Sequence, residues 1–304
     1  PAHDVMLVDD TLRYHIVRLR TPLGPGEIIE LGFDLSVEDK GFVNNGADFA
    51  LVDNGTFFTK RDFFPVIGYD AQRQLEDADE RRKRGLEPTI RMASINDSAA
   101  RMNTPRAPDA DRVEFETTVS TSVDQIAVTS GALEKEWAKD GRRYFHYKAE
   151  LPITHHFAFA SARYKVTRSE QNGVAIEIYH HPGNSTNVAR MMDAARRSLA
   201  YYSANFSPYQ HRYLRIVEFP RYVRDGTAFP GMIALSESMG FNARLNGEEA
   251  IDLPFYATAH EVAHQWWGQQ LVAANVQGAG MLHESLAQYS ALMVLEAEIG
   301  RPRM

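Results

Sequence analysis

His260-Glu261-Val262-Ala263-His264, followed after nineteen residues by Glu284, is the stretch on which the reading of this chain turns. Two histidines at i and i+4 project from one face of a helix, so both imidazoles reach a single ion, and the glutamate between them can face a water held there. A catalytic zinc takes three protein ligands and keeps its fourth position open, and two histidines with a glutamate are a set that does so. The flanking residues read as helix. Asp252 suits an N-cap, Pro254 suits the first turn, and Phe255, Ala259, Val262, Ala263 and Trp266 give an apolar face, with Gly268 as the expected end. Met281 to Ile299, with Leu282, Leu286, Ser290, Met293 and Val294 and a closing Gly300, reads as a second buried helix carrying Glu284 in its first turn. The expectation is one Zn2+ per chain on His260, His264 and Glu284, with Glu261 as general base. The plainer alternative is a pair of ordinary helices whose histidines are merely hydrogen-bonded.

At these residues the chain resembles the gluzincin aminopeptidases of the membrane-alanyl aminopeptidase family. His260-Glu-Val-Ala-His-Gln-Trp-Trp-Gly268 is similar to that family's zinc helix, and Glu284-Ser-Leu-Ala-Gln-Tyr289 to its E-G-F-A-x-Y segment. The family places eighteen residues between the second histidine and the ligand glutamate; here there are nineteen, and His283 stands at the usual position. An extra residue in the Gly- and Ala-rich loop Leu271 to Gly280 is expected to absorb the shift, which keeps Glu284 as ligand and His283 as the alternative. Gly231-Met-Ile-Ala-Leu-Ser-Glu237-Ser-Met-Gly240 is similar to a diverged G-x-M-E-N strand. In the family that glutamate binds the α-amino group of the substrate, and a buried ammonium needs a carboxylate partner. The resemblance therefore assigns substrate binding to Glu237, with Ser236 and Ser238 departing from the family's Met and Asn. A solvated carboxylate at a strand end is the other reading.

The likeness runs more loosely upstream, through Phe206-Ser-Pro-Tyr209, Tyr213 to Pro220, Leu151-Pro-Ile153 and Phe157 to Tyr164, and covers roughly residues 110 to 300. Before that, Asn54 to Phe58 and Pro65 to Tyr69 are weak markers. Residues 11 to 69 alternate β-branched and polar positions between turn signals at Gly24-Pro-Gly26 and Asn44-Asn-Gly46, as short antiparallel strands do. A helix is expected over 71 to 85, a loop over 94 to 110, and strands near 112 to 119, 125 to 129, 143 to 150, 156 to 166, 173 to 179 and 212 to 219. Between the last two, Val188, Met191, Met192, Ala195 and Leu199 mark the apolar stripe of a helix from about 185 to 204. The fold class expected is α+β: an N-terminal antiparallel β-sandwich-like domain over 1–167, then the first part of a thermolysin-like α/β zinc peptidase domain over 168–304.

Composition agrees. A length of 304 residues fits about two domains. A net charge of -7 with no basic cluster argues against a nucleic-acid partner. Without cysteine the chain has no disulfide, no thiolate metal site and no cysteine nucleophile. No run approaches the about eighteen apolar residues of a membrane span. Pro1 follows no methionine or signal peptide, and the chain stops twenty residues after Glu284. The family's oxyanion-steadying tyrosine matches no position here, so the expectation is a soluble piece of a longer polypeptide. Some bacterial relatives, the resemblance implies, are peptidase domains of larger membrane proteins with permease-like segments, which makes a covalent continuation of that kind part of the expectation; localisation stays unassigned. The function expected is a zinc metallo-aminopeptidase acting on peptides with a free N-terminus. The alternatives are a zinc endopeptidase or other zinc hydrolase, and a non-catalytic peptide-binding module that retains the zinc fold.

Overall fold

Three segments with apolar residues at both odd and even positions build the central sheet. In Val174–His180, Tyr213–Phe219 and Met232–Ser236, alternate side chains enter two different cores, as they do in strands covered on both faces. The structure is a computed structural model that describes residues 2–11, 14–38, 51–52, 55–68, 74–89, 92–105, 112–219, 225–244 and 252–301. The chain forms two compact units, 1–38 and 39–304. The first contains an antiparallel ribbon of β1 (His3–Asp9) and β2 (Tyr14–Leu19), with a bulge between Val5 and Leu7. Gly24 to Glu27 makes the expected turn, closed by the Glu27 amide on the Gly24 carbonyl at 3.1 Å. The turn expected at Asn44–Gly46 lies outside the described residues.

In the second unit, the central sheet has five strands in the order β12 (Lys165–Gln171), β13 (Val174–His180), β14 (Tyr213–Phe219), β16 (Met232–Ser236), β15 (Gly226–Phe229). The three inner strands are parallel and the two outer ones antiparallel to their neighbours. The polar stretch Thr167–Gly173, where the expected domain division falls, is most of β12 and the turn into β13. A parallel β13–β14 pair requires a crossover, and α3 (Val188–Asn205) supplies it. Its buried face is the predicted stripe, extended by Tyr202.

On one face of the sheet Ile176, Ile178, Leu214, Ile216, Ile233 and Leu235 pack with α3, α4 (Leu253–Ala263) and α5 (Leu286–Ile299). Each such fully buried side chain contributes about 1.5–3 kcal/mol. On the other face Tyr179, Val217, Phe219, Met232 and Ala234 meet Phe57, Val128, Ala158, Ala160 and Ala162. These belong to a four-stranded sheet ordered β3 (Leu51–Val52), β4 (Gly55–Thr59), β11 (Ala158–Ala162), β7 (Ile126–Thr129). Beyond it lie a three-stranded sheet, β6 (Glu116–Ser122), β9 (Arg142–Lys148), β8 (Ala132–Lys139), and the short pair β5 (Arg112–Val113) with β10 (Ile153–Thr154). The architecture is mixed α+β with several antiparallel sheets.

Local details differ from expectation. Helix α1 is the single turn Lys60–Phe63. Of the helix expected over 71 to 85, residues 71–73 lie outside the described residues, and α2 covers Ala78–Lys83, where Asp77 caps it by accepting from the Glu80 amide at 2.8 Å. Strand β8 is largely exposed and its charged residues fall in a run, Glu134-Lys-Glu136, so its sequence gives no alternation to find. No helix among the described residues is long and apolar enough to cross a membrane.

Candidate active site

Helix α4 starts as its sequence predicts, with Asp252 accepting from the Phe255 amide at 3.1 Å and Pro254 in the first turn. The second Asp252 oxygen pairs with Arg190 of α3, which also reaches Glu298 of α5 at 3.2 Å, so one guanidinium ties the three helices together. Regular helix stops at Ala263, five residues before Gly268, and His264 is its C-cap. The chain then turns through Trp267, whose indole donates to Ser290 of α5 at 2.8 Å and fixes α5 against α4.

His260, His264 and Glu284 converge across that junction. The two Nε2 atoms are 3.1 Å apart, and Glu284 Oε2 lies 3.6 Å from the first and 3.4 Å from the second. A tetrahedral zinc with ligands at about 2.0–2.1 Å needs donor atoms about 3.3–3.4 Å apart, so the three side chains fit that ion. His264 Nδ1 faces the Trp267 carbonyl at 3.0 Å; a carbonyl only accepts, so Nδ1 holds the proton and Nε2 offers its lone pair to the site. His260 Nδ1 is buried and finds no acceptor among the described residues. When the imidazoles take up a second proton, hydrogen bonds from His260 and His264 hold the Glu284 carboxyl well below the usual carboxylate range. At His264 burial works against the imidazolium, but the Glu284 carboxylate, the Glu261 charge and the Trp267 carbonyl outweigh it and raise the pKa. The side chains of His260 and His264 are 14% and 6% exposed and that of Glu284 is 64% exposed, so the cluster opens to solvent on the glutamate side.

Glu284 does not sit in the first turn of an α-helix. It lies in a π turn, Met281–Ser285, that runs into α5. His283, one residue earlier, is buried and directed elsewhere: its Nε2 accepts from the Ala273 amide at 3.1 Å. Glu261, 4% exposed, lies in α4 between the histidines, and its carboxylate abuts the backbone of Gly226 in β15. A Cβ at Gly226 would come within 2.7 Å of Glu261 Oε1 and 2.9 Å of a Leu235 methyl. Glu237 is the first residue of a second π turn, Glu237–Phe241, which follows β16 and packs against α4. It is half-buried, and that burial raises its pKa.

No family model and no curated protein sequence matches the chain. Among solved structures it is similar to aminopeptidase A of Legionella pneumophila, solved in complex with aspartic acid, with a TM-score of 0.56 and 17% identity over 65% of this chain and 24% of that one. The chain shares its fold with an aminopeptidase. It spans about a quarter of that protein's length.

Three further residues of the site region have no motif. Glu218, fully buried near the end of β14, accepts from the His181 amide at 2.6 Å and from the Asn184 side chain. Burial pushes its pKa up to about 7, against those two hydrogen bonds, and the nearby Glu237 charge adds to the rise. Arg215, on the opposite face of the same strand, is buried among Tyr147, Tyr213, Glu177 and the carbonyls of Thr129 and Gly131, and it joins the central sheet to the β module. The signal for both was available: a charge of each sign interrupts the otherwise apolar run Tyr213–Phe219. Gly226 had no signal, since only the fold brings it to Glu261. A cavity of about 260 Å3 lined by Arg112, Thr154, His211 and Gln269 includes none of the site residues.

Proposed function

We propose that this chain is the zinc-holding part of a metallo-aminopeptidase of gluzincin type, in which His260, His264 and Glu284 bind one zinc ion, Glu261 is the general base and Glu237 binds the substrate's α-amino group. The observation that carries the reading is the convergence of three donor atoms 3.1 to 3.6 Å apart, from two helices, beside a buried glutamate on one of them. In this reading residues 168–304 are the first part of a thermolysin-like domain and 1–167 the β-rich domain before it. The fold shared with an aminopeptidase supports it. So does the π turn. Such a turn takes in one residue more than an α turn, which absorbs the nineteen-residue spacing at the start of the ligand helix in place of the Leu271–Gly280 loop.

When bound, zinc supplies Lewis acidity that polarises a carbonyl and makes water a better nucleophile near neutral pH. The chain's own residues do the rest. Glu261 takes a proton from the attacking water and returns it to the departing amine, the two halves of general base and general acid catalysis. Glu237, at the end of β16, pairs with the ammonium and so fixes which peptide bond lies next to Glu261. A zinc endopeptidase would use the same metal ligands and leave Glu237 idle.

The test is metal analysis of the purified chain together with a panel of peptides, each with a free and an N-acetylated terminus, offered to the full-length polypeptide that contains it. One zinc per chain and cleavage confined to free termini is the expected result. Equal cleavage of both forms overturns the exopeptidase reading, and absence of stoichiometric zinc overturns the metal centre.

A further inference from the structure

The turn that carries Glu237 is held from outside by the connection between β13 and α3, and that connection is itself held by a buried carboxylate. The turn's beginning is fixed by the sheet: the Ser236 amide donates to the Asp225 carbonyl at 3.0 Å, and the Ser236 hydroxyl accepts from the Asp225 amide at 3.2 Å. Its end is fixed by Asn187. The Asn187 amide group, 6% exposed, donates to the carbonyls of Gly240 at 2.8 Å, Phe241 at 3.2 Å and Ala243 at 2.8 Å. Asn187 is also the N-cap residue of α3, where an asparagine ordinarily accepts from the first free amides of the helix. Here its side chain makes no cap bond and is engaged on the π turn.

Asn187 belongs to the connection between β13 and α3, residues 181–187, and Glu218 reaches into that connection. Its carboxylate takes the His181 amide at 2.6 Å and the Asn184 side chain, three residues before Asn187. Glu218 is fully buried and pairs with no lysine or arginine among the described residues. A buried carboxylate held only by two neutral donors is costly to keep. Its position accounts for it: the adjoining strands β13, β14 and β16 end side by side, so one group at the end of the middle strand reaches the loop on one side and senses the Glu237 charge on the other.

We infer that Glu218 is the positioning residue for Glu237, fixing the 181–187 connection so that Asn187 clamps the far end of the π turn and aims the Glu237 carboxylate. This rests on the reading of Glu237 as the amine-binding group, and the experiment separates the two. Asn187→Ala removes the bonds to the π turn without touching either carboxylate. Glu218→Gln keeps the shape but leaves one oxygen to accept where there were two.

Hydrogen exchange at the Asn242 amide, which closes the π turn on the Glu237 carbonyl at 2.8 Å, reads the clamp directly. We expect it to speed up about tenfold in either variant, the scale of one hydrogen bond. In the full-length polypeptide, kcat/KM for peptides with a free terminus should fall about tenfold in each, mainly through KM, with zinc content and cleavage of N-acetylated peptides unchanged. The double variant should lose no more than the worse single one, because both break the same connection. Unchanged Asn242 exchange in both variants overturns the clamp, whatever Glu237 does. A loss in Glu218→Gln with wild-type kinetics in Asn187→Ala also overturns it, since Glu218 would then act without the relay. Faster exchange combined with no selective loss in Glu237→Ala leaves the clamp standing and removes Glu237 from amine binding.

Discussion

Glu284 and Glu218 meet opposite surroundings within one compact unit. Glu284 faces two imidazole nitrogens, stays largely exposed and is pulled below the ordinary carboxylate range. Glu218 is fully buried, receives two neutral donors, lies near a second carboxylate and is pushed up to about 7. The difference lies in what each cluster lacks. The first holds its lone pairs around a point where a cation fits, and the imidazoles already stabilise its anion. The second crowds like charges in a dry place, which favours a proton on one of them until something positive arrives.

The largest effect that can sharpen this contrast is removal of Glu284. Glu284→Ala should lower zinc affinity by more than the about 10–100-fold that changes in outer-shell partners cost, and hydrolysis should go with it. His283→Ala should keep its zinc; metal analysis of the two variants with the opposite result would reverse the ligand assignment. Next in size is Glu261→Gln. It keeps shape and removes the base, so kcat should fall by about 10² or more with zinc retained, and comparable turnover would take Glu261 out of the mechanism.

Glu237→Ala should cost about tenfold to a hundredfold in kcat/KM on peptides with a free terminus, as the loss of one charge-assisted hydrogen bond does. N-acetylated peptides should be nearly unaffected, and an equal loss on both forms would mean that Glu237 supports the fold or the metal site. Gly226→Ala should lower kcat about tenfold and also lower the thermal midpoint: the new methyl comes within 2.7 Å of Glu261 Oε1 and 2.9 Å of a Leu235 methyl, both buried, so the base leaves its place and the packing around it must give. A large fall in stability with intact kcat would show that the contact is only packing.

The smallest effect is a pH dependence of stability. The folded pKa of Glu218, about 7, lies above its ordinary value of 4.5, so the folded state binds the proton more tightly. The stability this brings is fully present below 4.5 and is lost as pH rises through 7. Between pH 5 and 6 the wild type should therefore lose about 1 kcal/mol per pH unit relative to Glu218→Gln in urea unfolding. Parallel curves for the two proteins would show that Glu218 has no such raised value.

How much of this could be read from sequence follows from the range of each interaction. The α4 cap, its proline and the i, i+4 histidines are local, so spacing alone locates them, and the α3 stripe follows from helical period. The two π turns were not readable, because hydrophobic spacing does not say which carbonyl each amide chooses. The end of α4 at Ala263 was missed for a related reason: Gly268 looks like a helix stop, but the chain has already turned to bring Trp267 to Ser290. Glu218 acts on Glu237, Asn187 on Gly240 and Gly226 on Glu261, partners nineteen or more positions away that only the fold brings near. Their chemistry is ordinary and their sequence neighbours say nothing of it.

Because α4 ends where it does, the two histidines occupy its last turn and C-cap, while Glu284 lies inside the helical run that passes through the π turn into α5. Backbone dipoles give a helix a partial negative charge at its C-terminal end and a partial positive one at its N-terminal end, each worth about 0.3–1 kcal/mol to a neighbouring charge. The field of α4 thus favours any cation lodged between the imidazoles. Proton and metal would gain from the same field, so they would compete for the same place, and a zinc ion bound there would have to displace any proton that the helix also favours.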